Sequence, residues 1–253
     1  MSLHLSELIR SAVEQTLEDR IAIPFSGGLD STTIATVAKQ HADVELFSAG
    51  TTLSEDLGYA AKVAVMLGLP LNKILLDEAT SLETYGHCHA LLPLDFLKLE
   101  ILVPVYRVAE AVSRKGHAVA LFGSGAEELF IGYARYYNYL DEGKNLDSIL
   151  RDEYRTLVQR DILWVKKICR KFGIEARFPF YNKELADFVF SIPLEERIEE
   201  RTLKKGLLRE AAKFLGTPDL ALKRRKKAMQ YGSGIHKMLL RHVDEINRSY
   251  PVL

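Results

Sequence analysis

The chain has 253 residues, of which 47% are hydrophobic and 27% are charged, a composition typical of a globular protein with a sizeable core. Basic and acidic residues are equal at 34 each, which argues against a nucleic-acid or membrane partner held by broad electrostatic attraction. Two cysteines are too few for a disulfide framework, and no apolar run resembles a signal peptide or a membrane span, so we expect a cytoplasmic protein.

The N-terminal half alternates helical and strand-like segments. Apolar residues at helical spacing predict an opening amphipathic helix that reaches Leu17. Short apolar runs then predict four strands, at Arg20–Phe25, Val44–Ser48, Leu71–Leu76 and His117–Phe122. Predicted helices lie between them at Ser31–Gln40, Leu57–Leu67 and Tyr106–Ser113. This alternation predicts the α/β fold class, with a doubly wound parallel sheet covered by helices on both faces.

The second half is mostly helical, and its clearest segments are Asp161–Lys171, Asn182–Ser191 and Thr202–Leu215. No linker or repeat divides the chain, so we expect a single domain over residues 1–253. Residues 1–132 would form a nucleotide-binding α/β part, with the sheet at Arg20–Gly132. Residues 133–253 would form a helical part that caps the carboxyl edge of the sheet, where ligands of such folds bind near the switch in strand order.

A phosphate-binding loop is predicted by the sequence Ser-Gly-Gly-Leu-Asp-Ser, which follows the first predicted strand. Gly27 and Gly28 let backbone N–H groups approach phosphate oxygens, and the helix expected from Ser31 directs its positive end at the same anion. Ser26 and Ser31 add hydroxyl donors. Asp30 would repel a bare phosphate, which suggests a bridging Mg²⁺. A tight strand-to-helix turn is the alternative, and a Walker loop is excluded because its lysine and glycine spacing are missing.

This loop resembles the pyrophosphate loop of the N-type ATP pyrophosphatases. A second block, Phe-Gly-Ser-Gly-Ala-Glu-Glu-Leu-Phe-Ile-Gly-Tyr at residues 122–133, resembles the asparagine synthetase motif Leu-Ser-Gly-Glu-Gly-x-Asp-Glu-x-Phe-Gly-Gly-Tyr. Further blocks at 173–182 and 224–234 resemble two later motifs of the same family, in the same order. The resemblance covers the synthetase domain over nearly the whole chain, and it implies a PP-loop fold related to the adenine nucleotide alpha hydrolases.

The resemblance also implies site residues. Gly123 forms the turn after the fourth predicted strand, and Glu127 would share Mg²⁺ with Asp30, because the two strand ends meet at one crevice. Lys226 matches a family lysine that steadies the phosphates during adenylation, a role for which the phosphate loop has no lysine of its own. The alternatives are helix-dipole stabilisation for Glu127 and a solvated basic run for Lys226. ATP and Mg²⁺ are the cofactors implied.

The implied enzyme is a carbon–nitrogen ligase of the asparagine synthase type. It would adenylate a small-molecule carboxylate, release pyrophosphate, and pass the acyl group to ammonia or an amine. Three positions depart from the family pattern: Ser124 replaces a glutamate, Glu100 replaces an arginine that holds the amino-acid substrate, and Asn182 replaces an aspartate. The acceptor is therefore left open between aspartate and another amino acid, and we expect aspartate to be a poor substrate.

Family members of this type carry an N-terminal glutaminase domain with a cysteine after the initiator Met, where this sequence has Ser2. We therefore expect free ammonia or a separate glutaminase subunit to supply nitrogen, and a homo-oligomer is possible. Two other functions remain open: an ATP-sensing subunit without catalysis, and a PP-loop adenylase acting on tRNA. The balanced charge and the two isolated cysteines argue against the tRNA enzyme.

Three other features are interpreted as structural. His87, Cys88 and His89 lack a fourth ligand for zinc. Trp164, in an amphipathic helix, is expected to be buried. Lys205 is assigned with its basic neighbours to a solvated helical face.

Overall fold

The computed structural model describes residues 1–198, 201–225 and 227–250. Its centre is a parallel sheet with the strand order β3-β2-β1-β4-β5. The strands are β1 (Arg20–Pro24), β2 (Asp43–Gly50), β3 (Leu71–Leu75), β4 (Val119–Leu121) and β5 (Glu175–Arg177). The predicted α/β fold with a parallel sheet is confirmed.

Helices precede, connect and follow these strands. Up to β4 they are α1 (Ser2–Glu14), α2 (Leu29–Ala38), α3 (Glu55–Leu67), α4 (Glu78–Leu91) and α5 (Phe96–Arg114). Between β4 and β5 they are α6 (Ala126–Leu129), α7 (Ala134–Asp141), α8 (Leu146–Thr156) and α9 (Asp161–Lys171). After β5 they are α10 (Lys183–Ser191), α11 (Leu194–Arg197), α12 (Gly206–Phe214), α13 (Asp219–Leu222), α14 (Met229–Gly232), α15 (Ile235–Leu240) and α16 (Val243–Ser249). Across the described ranges, none of these helices is both long and apolar enough to cross a membrane.

Each face of the sheet has its own hydrophobic core, because successive strand residues point to opposite sides. Ile21 and Ile23 belong to one core, together with the apolar faces of α1, α2, α3 and α12. Ala22 and Phe47 belong to the other core, which α4, α5, α9 and α15 cover. All four residues are fully buried. A sheet buried on both faces presents its carboxyl edge as the place where a cavity can form.

Strand β5 lies outside Arg20–Gly132, the range predicted for the sheet. Glu175–Arg177 pairs with β4, and the backbone N–H of Phe122 donates to the Arg177 carbonyl oxygen at 2.9 Å. The strand has three residues, and only its middle one, Ala176, is buried. A run this short and charged shows no hydrophobic period, so the strand could not be recognised from pattern alone.

Helix boundaries were predicted well where capping signals are strong. The bounds of α9 are those predicted, and Gly68 ends α3 in a left-handed conformation with φ 68°. Helix α2 begins at Leu29, two residues before the predicted start. Helix α5 begins at Phe96, ten residues before its predicted start, and contains Pro104.

Candidate active site

A cavity of about 590 Å³ opens at the carboxyl edge of the sheet. Strand order changes direction between β1 and β4, and the loops that follow these two strands both line the cavity. Ser26 comes from the first loop and Asp30 from the helix turn that follows it, and Gly123 and Ser124 come from the second loop. The predicted meeting of these loops is thus observed, at the position where doubly wound folds bind ligands.

The phosphate loop leads into α2 without a side-chain cap. Gly28 is the N-cap residue, and its N–H donates to Ser26 Oγ at 3.2 Å. The Ser31 hydroxyl lies 3.4 Å from the Gly28 carbonyl oxygen, to which it donates. Asp30 and Ser31 therefore lie in the first turn of α2. Because no side chain satisfies the N–H groups of that turn, they remain available to an anion.

Gly27 and Gly28 of the phosphate loop have different surroundings. Gly27 has φ 68°, and a Cβ there would lie 2.8 Å from the backbone nitrogen of Ala60 in α3. A Cβ on Gly28 would meet side-chain atoms alone, the Ser26 hydroxyl at 3.1 Å and an Arg224 guanidinium nitrogen at 4.0 Å. Gly27 thus allows the loop to pack against the α3 backbone, whereas Gly28 faces the cavity and fits the predicted role of open backbone beside a phosphate.

Gly123 allows β4 to approach the phosphate loop. A Cβ at this position would lie 3.1 Å from the Asp30 Cβ and 4.0 Å from the Ser31 backbone nitrogen. The absence of a side chain at Gly123 therefore keeps the space between the two loops open.

Lys205 lies between the two predicted metal ligands. Its ammonium nitrogen is 2.8 and 2.7 Å from the two Asp30 carboxylate oxygens and 2.9 Å from Glu127 Oε1. The residue is only 3% exposed and precedes α12 in a left-handed conformation, with φ 55°. Strained backbone of this kind is concentrated at functional sites, where the surrounding contacts hold it. Lys205 is thus a buried cation at the centre of the site.

The assignment of Lys205 to a solvated helical face is wrong. The spacing from Lys205 to Leu208 could have indicated burial. In the predicted helix Thr202–Leu215, residues three apart share a face, and Leu208 is fully buried. The neighbouring basic residues instead favoured an exposed position for Lys205, since most lysines in such runs are solvated.

Gly132 provides the space for the Glu127–Lys205 ion pair. A Cβ at Gly132 would lie 1.7 Å from Glu127 Oε2 and 2.3 Å from the Lys205 Cε. The Gly132 N–H also donates to the Glu127 carbonyl oxygen at 2.8 Å, which closes the turn after α6. The glycine of the Ile-Gly-Tyr sequence therefore has a steric role in the site itself.

Arg224 connects the C-terminal basic segment to the phosphate loop. Its guanidinium donates to the Ser26 carbonyl oxygen and to Asp56, and it stacks over the Tyr59 ring at 4.2 Å. These contacts hold a second cation beside the loop. Lys226 lies outside the described residues, so its predicted role in steadying phosphates stays a prediction.

Asp30 and Glu127 form a donor set that fits Mg²⁺ when phosphate oxygens complete it. One ammonium contacts both carboxylates, so a single small cation can be shared between them. Magnesium in nucleotide sites often takes one or two carboxylates plus substrate phosphates. In the described part of the chain no cluster of three or more acidic, histidine or cysteine side chains is placed to hold a metal without such help.

Glu100 is not part of the cavity wall, contrary to the expectation that it faces the acceptor. Its side chain is fully buried, and Oε2 lies 2.8 Å from Nδ1 of His236 in α15. Burial raises the pKa of Glu100, while the His236 contact lowers it. Lys98, Ile101 and Leu102 of the same helix line the cavity instead. The register before Pro104 therefore places the substituted position in a helix-to-helix contact.

Trp164 is half-buried, because it packs against the hydrophobic core and also lines the cavity, so the expectation that it is buried is met only in part. Cys88 and Cys169 are both buried, and burial raises the pKa of each thiol to about 12. Cys88, from the His87–His89 run, belongs to the hydrophobic core on the α4 and α5 side of the sheet.

The parallel sheet, and the glycine loop leading into an uncapped helix at its switch point, define an α/β protein of the PP-loop class. The family model described as asparagine synthase matches residues 4–149 and 138–250. The chain belongs to the asparagine synthase family. The family predicted from the motifs is confirmed.

Individual relatives give the extent of the similarity. A Methanocaldococcus jannaschii protein provisionally named glutamine-hydrolysing asparagine synthetase 1 is 32% identical over 260 residues, covering 87% of this chain and 47% of that protein. The human glutamine-hydrolysing asparagine synthetase is 30% identical over 227 residues, covering 82% of this chain and 39% of that protein. Among solved structures, an NMN synthetase from Francisella tularensis is 14% identical, with a TM-score of 0.48, and the match covers 90% of this chain and 75% of that one. The chain spans less than half the length of the two curated relatives.

Proposed function

We propose that the chain is an ATP-dependent ligase that forms an amide and releases AMP and pyrophosphate. One observation carries this proposal: the buried Lys205 ammonium lies between the Asp30 and Glu127 carboxylates, where the phosphate loop meets the turn after β4. A fixed positive charge in a water-poor site stabilises negative charge that develops during adenylyl transfer, and it requires no reorganisation at the moment of reaction.

ATP would lie along the cavity with its phosphates at the N-terminus of α2. The uncapped N–H groups and the positive end of the helix dipole favour an anion there. The adenine ring would lie on the β2 side, where Phe47, Ala49 and Val105 provide an apolar surface. This orientation leaves the opposite end, beyond β4, for the acceptor.

In the first proposed step, a carboxylate oxygen of the acceptor attacks the α-phosphorus of ATP. An O–P bond forms while the bond from that phosphorus to the pyrophosphate oxygen breaks. Ammonia or an amine then attacks the acyl carbon, AMP leaves with the electrons of the acyl C–O bond, and the nitrogen releases a proton. Lys205 neutralises charge on the phosphate oxygens during the first step.

The remaining proposed roles follow from the same geometry. Asp30 and Glu127 would hold Mg²⁺, which supplies positive charge to the β- and γ-phosphates. Ser26, Gly28 and the first turn of α2 would cradle these phosphates. Ammonia is the simplest nitrogen source, and a separate glutaminase subunit is a further proposed partner.

The test measures pyrophosphate and AMP release with ATP, Mg²⁺, ammonium and a panel of carboxylic acids. Lys205→Met removes the ammonium and should lower pyrophosphate release about a hundredfold, as does loss of one donor to a developing anion in other enzymes. Lys213→Met makes the same change on the exposed side of α12 and should leave the rate unchanged. Release of no pyrophosphate with any acid, while ATP still binds, would instead favour an ATP-sensing subunit.

A further inference from the structure

The end of the cavity beyond β4 has a chemistry different from that of the phosphate end. We define this acceptor end by Glu128 of α6, Tyr133, and Asp161 and Trp164 of α9, all of which line the cavity. Val165 adds apolar surface next to the tryptophan. The acceptor end thus combines two carboxyl groups with an aromatic and an aliphatic wall.

Glu128 is the unusual member of this group. It is only 3% exposed, and among the described residues its carboxyl group has no ion pair or hydrogen bond with another residue. Its carboxyl group accepts from its own backbone N–H only, and a buried carboxyl group that no other residue pairs with is costly for the fold. Its position in a cavity wall suits it to pair with a cation brought by a ligand.

The cations at or beside the acceptor end are already paired. Arg135 lies 2.5 Å from Glu153, and Arg160 lies 3.6 Å from Asp161. Lys205 contacts the carboxylates of the phosphate end. Within the described ranges, the lining of the acceptor end therefore offers no unpaired cation that would bind a second carboxylate of an acceptor.

We propose that the acceptor is an amino acid with a neutral side chain, bound at this end through its protonated amine. The amine pairs with Glu128, and the side chain packs on Trp164 and Val165. The activated carboxylate reaches Lys205, so the proposal rests on the proposed adenylation. Aspartate and glutamate are excluded as good acceptors, because their second carboxylate would meet Glu128 and Asp161 without an available cation.

Trp164 supplies a direct readout, because it is the single tryptophan of the chain. Its fluorescence would be followed during titration with a panel of neutral α- and β-amino acids, with L-aspartate, and with the deaminated analogue of each panel member. A non-hydrolysable ATP analogue and Mg²⁺ would be present throughout. At least one neutral amino acid should bind at least tenfold more tightly than its deaminated analogue and than L-aspartate, as a lost charge-assisted hydrogen bond predicts.

Glu128→Gln should reduce the preference for the amine to about twofold or less, because it removes the charge while retaining the side-chain shape. Glu195→Gln, on the exposed surface of α11, should leave the preference unchanged and serves as the matched control. Equal binding of amines and deaminated acids would overturn the proposal. So would tight aspartate binding, or no response to any amino acid while the ATP analogue binds.

Pyrophosphate release measured in parallel separates the two proposals. Amine-selective binding without pyrophosphate release would contradict the ligase function and leave the acceptor end as assigned. Pyrophosphate release with aspartate as the best acid would contradict the acceptor assignment and support the ligase function.

Discussion

Replacing Gly132 with alanine should damage the candidate site much more than the fold. The new methyl group would have to occupy space held by Glu127 Oε2, 1.7 Å away, and by the Lys205 Cε, 2.3 Å away. Both atoms lie near the ends of flexible side chains, so they can move without shifting backbone. The expected result is a displaced Glu127–Lys205 ion pair in a chain that still folds.

The expected changes in stability and in pyrophosphate release follow from these contacts. Overpacking costs about 1–3 kcal/mol in general, and Lys205 keeps its two contacts with Asp30, so its buried ammonium is not left without a partner. Stability should therefore fall by no more than that amount. A charge-assisted hydrogen bond contributes about 1.5–3 kcal/mol. If it is lost in the transition state, pyrophosphate release falls about tenfold to more than a hundredfold.

Urea unfolding and pyrophosphate release would be measured on the same preparations. Gly58→Ala is the control, because Gly58 lies inside α3 with nothing within 4 Å of the new methyl group. It should raise stability by up to about 1 kcal/mol through helix propensity alone and leave activity unchanged. Wild-type pyrophosphate release by Gly132→Ala would refute the steric role of Gly132, as would a loss of stability large enough to unfold the chain.

Three further predictions concern other parts of the molecule. Because both thiols are buried with pKa values raised to about 12, this 253-residue chain should not hydrolyse glutamine, and ammonium alone should support amide formation; glutamate release from glutamine would contradict this. Glu100→Arg should lower the urea midpoint without improving aspartate-dependent pyrophosphate release, because Glu100 pairs with His236 in the interior; a gain with aspartate would show that position 100 reaches the acceptor. The pKa of Glu128 is raised from 4.5 to about 7, so its contribution to stability is fully present below pH 4.5 and is lost as pH rises towards 7. Glu128→Gln should flatten that decline in a pH series of melting temperatures, and an unchanged slope would argue against the shift.

The sequence was most informative where periodicity and capping agree. The four predicted strands are found, and the phosphate loop follows β1 as predicted although α2 begins at Leu29, because apolar runs and adjacent glycines are strong local signals. The convergence of that loop with Gly123 also followed from topology, since parallel strands direct their carboxyl ends to one edge.

What the sequence concealed depends on tertiary context. Glu100 differs from the family pattern, and the sequence could not show that it points at His236 instead of the cavity. Trp164 has the spacing of a core residue, yet the wall it completes also needs residues from α6. Predicting which side chains face the cavity requires the relative placement of helices that are distant in sequence. The local spacing of apolar residues does not encode that placement.

The contacts that complete the candidate site join residues far apart along the chain. Lys205 and Asp30 are separated by 175 positions, and Arg224 and Ser26 by 198. Closing loops of that length costs chain entropy, which is recovered only after the intervening strands and helices have packed. We therefore expect nucleotide affinity to be acquired late in folding. On the ribosome, a growing chain would gain it only after residue 224 has emerged, so that ATP binding reports on folding through that residue.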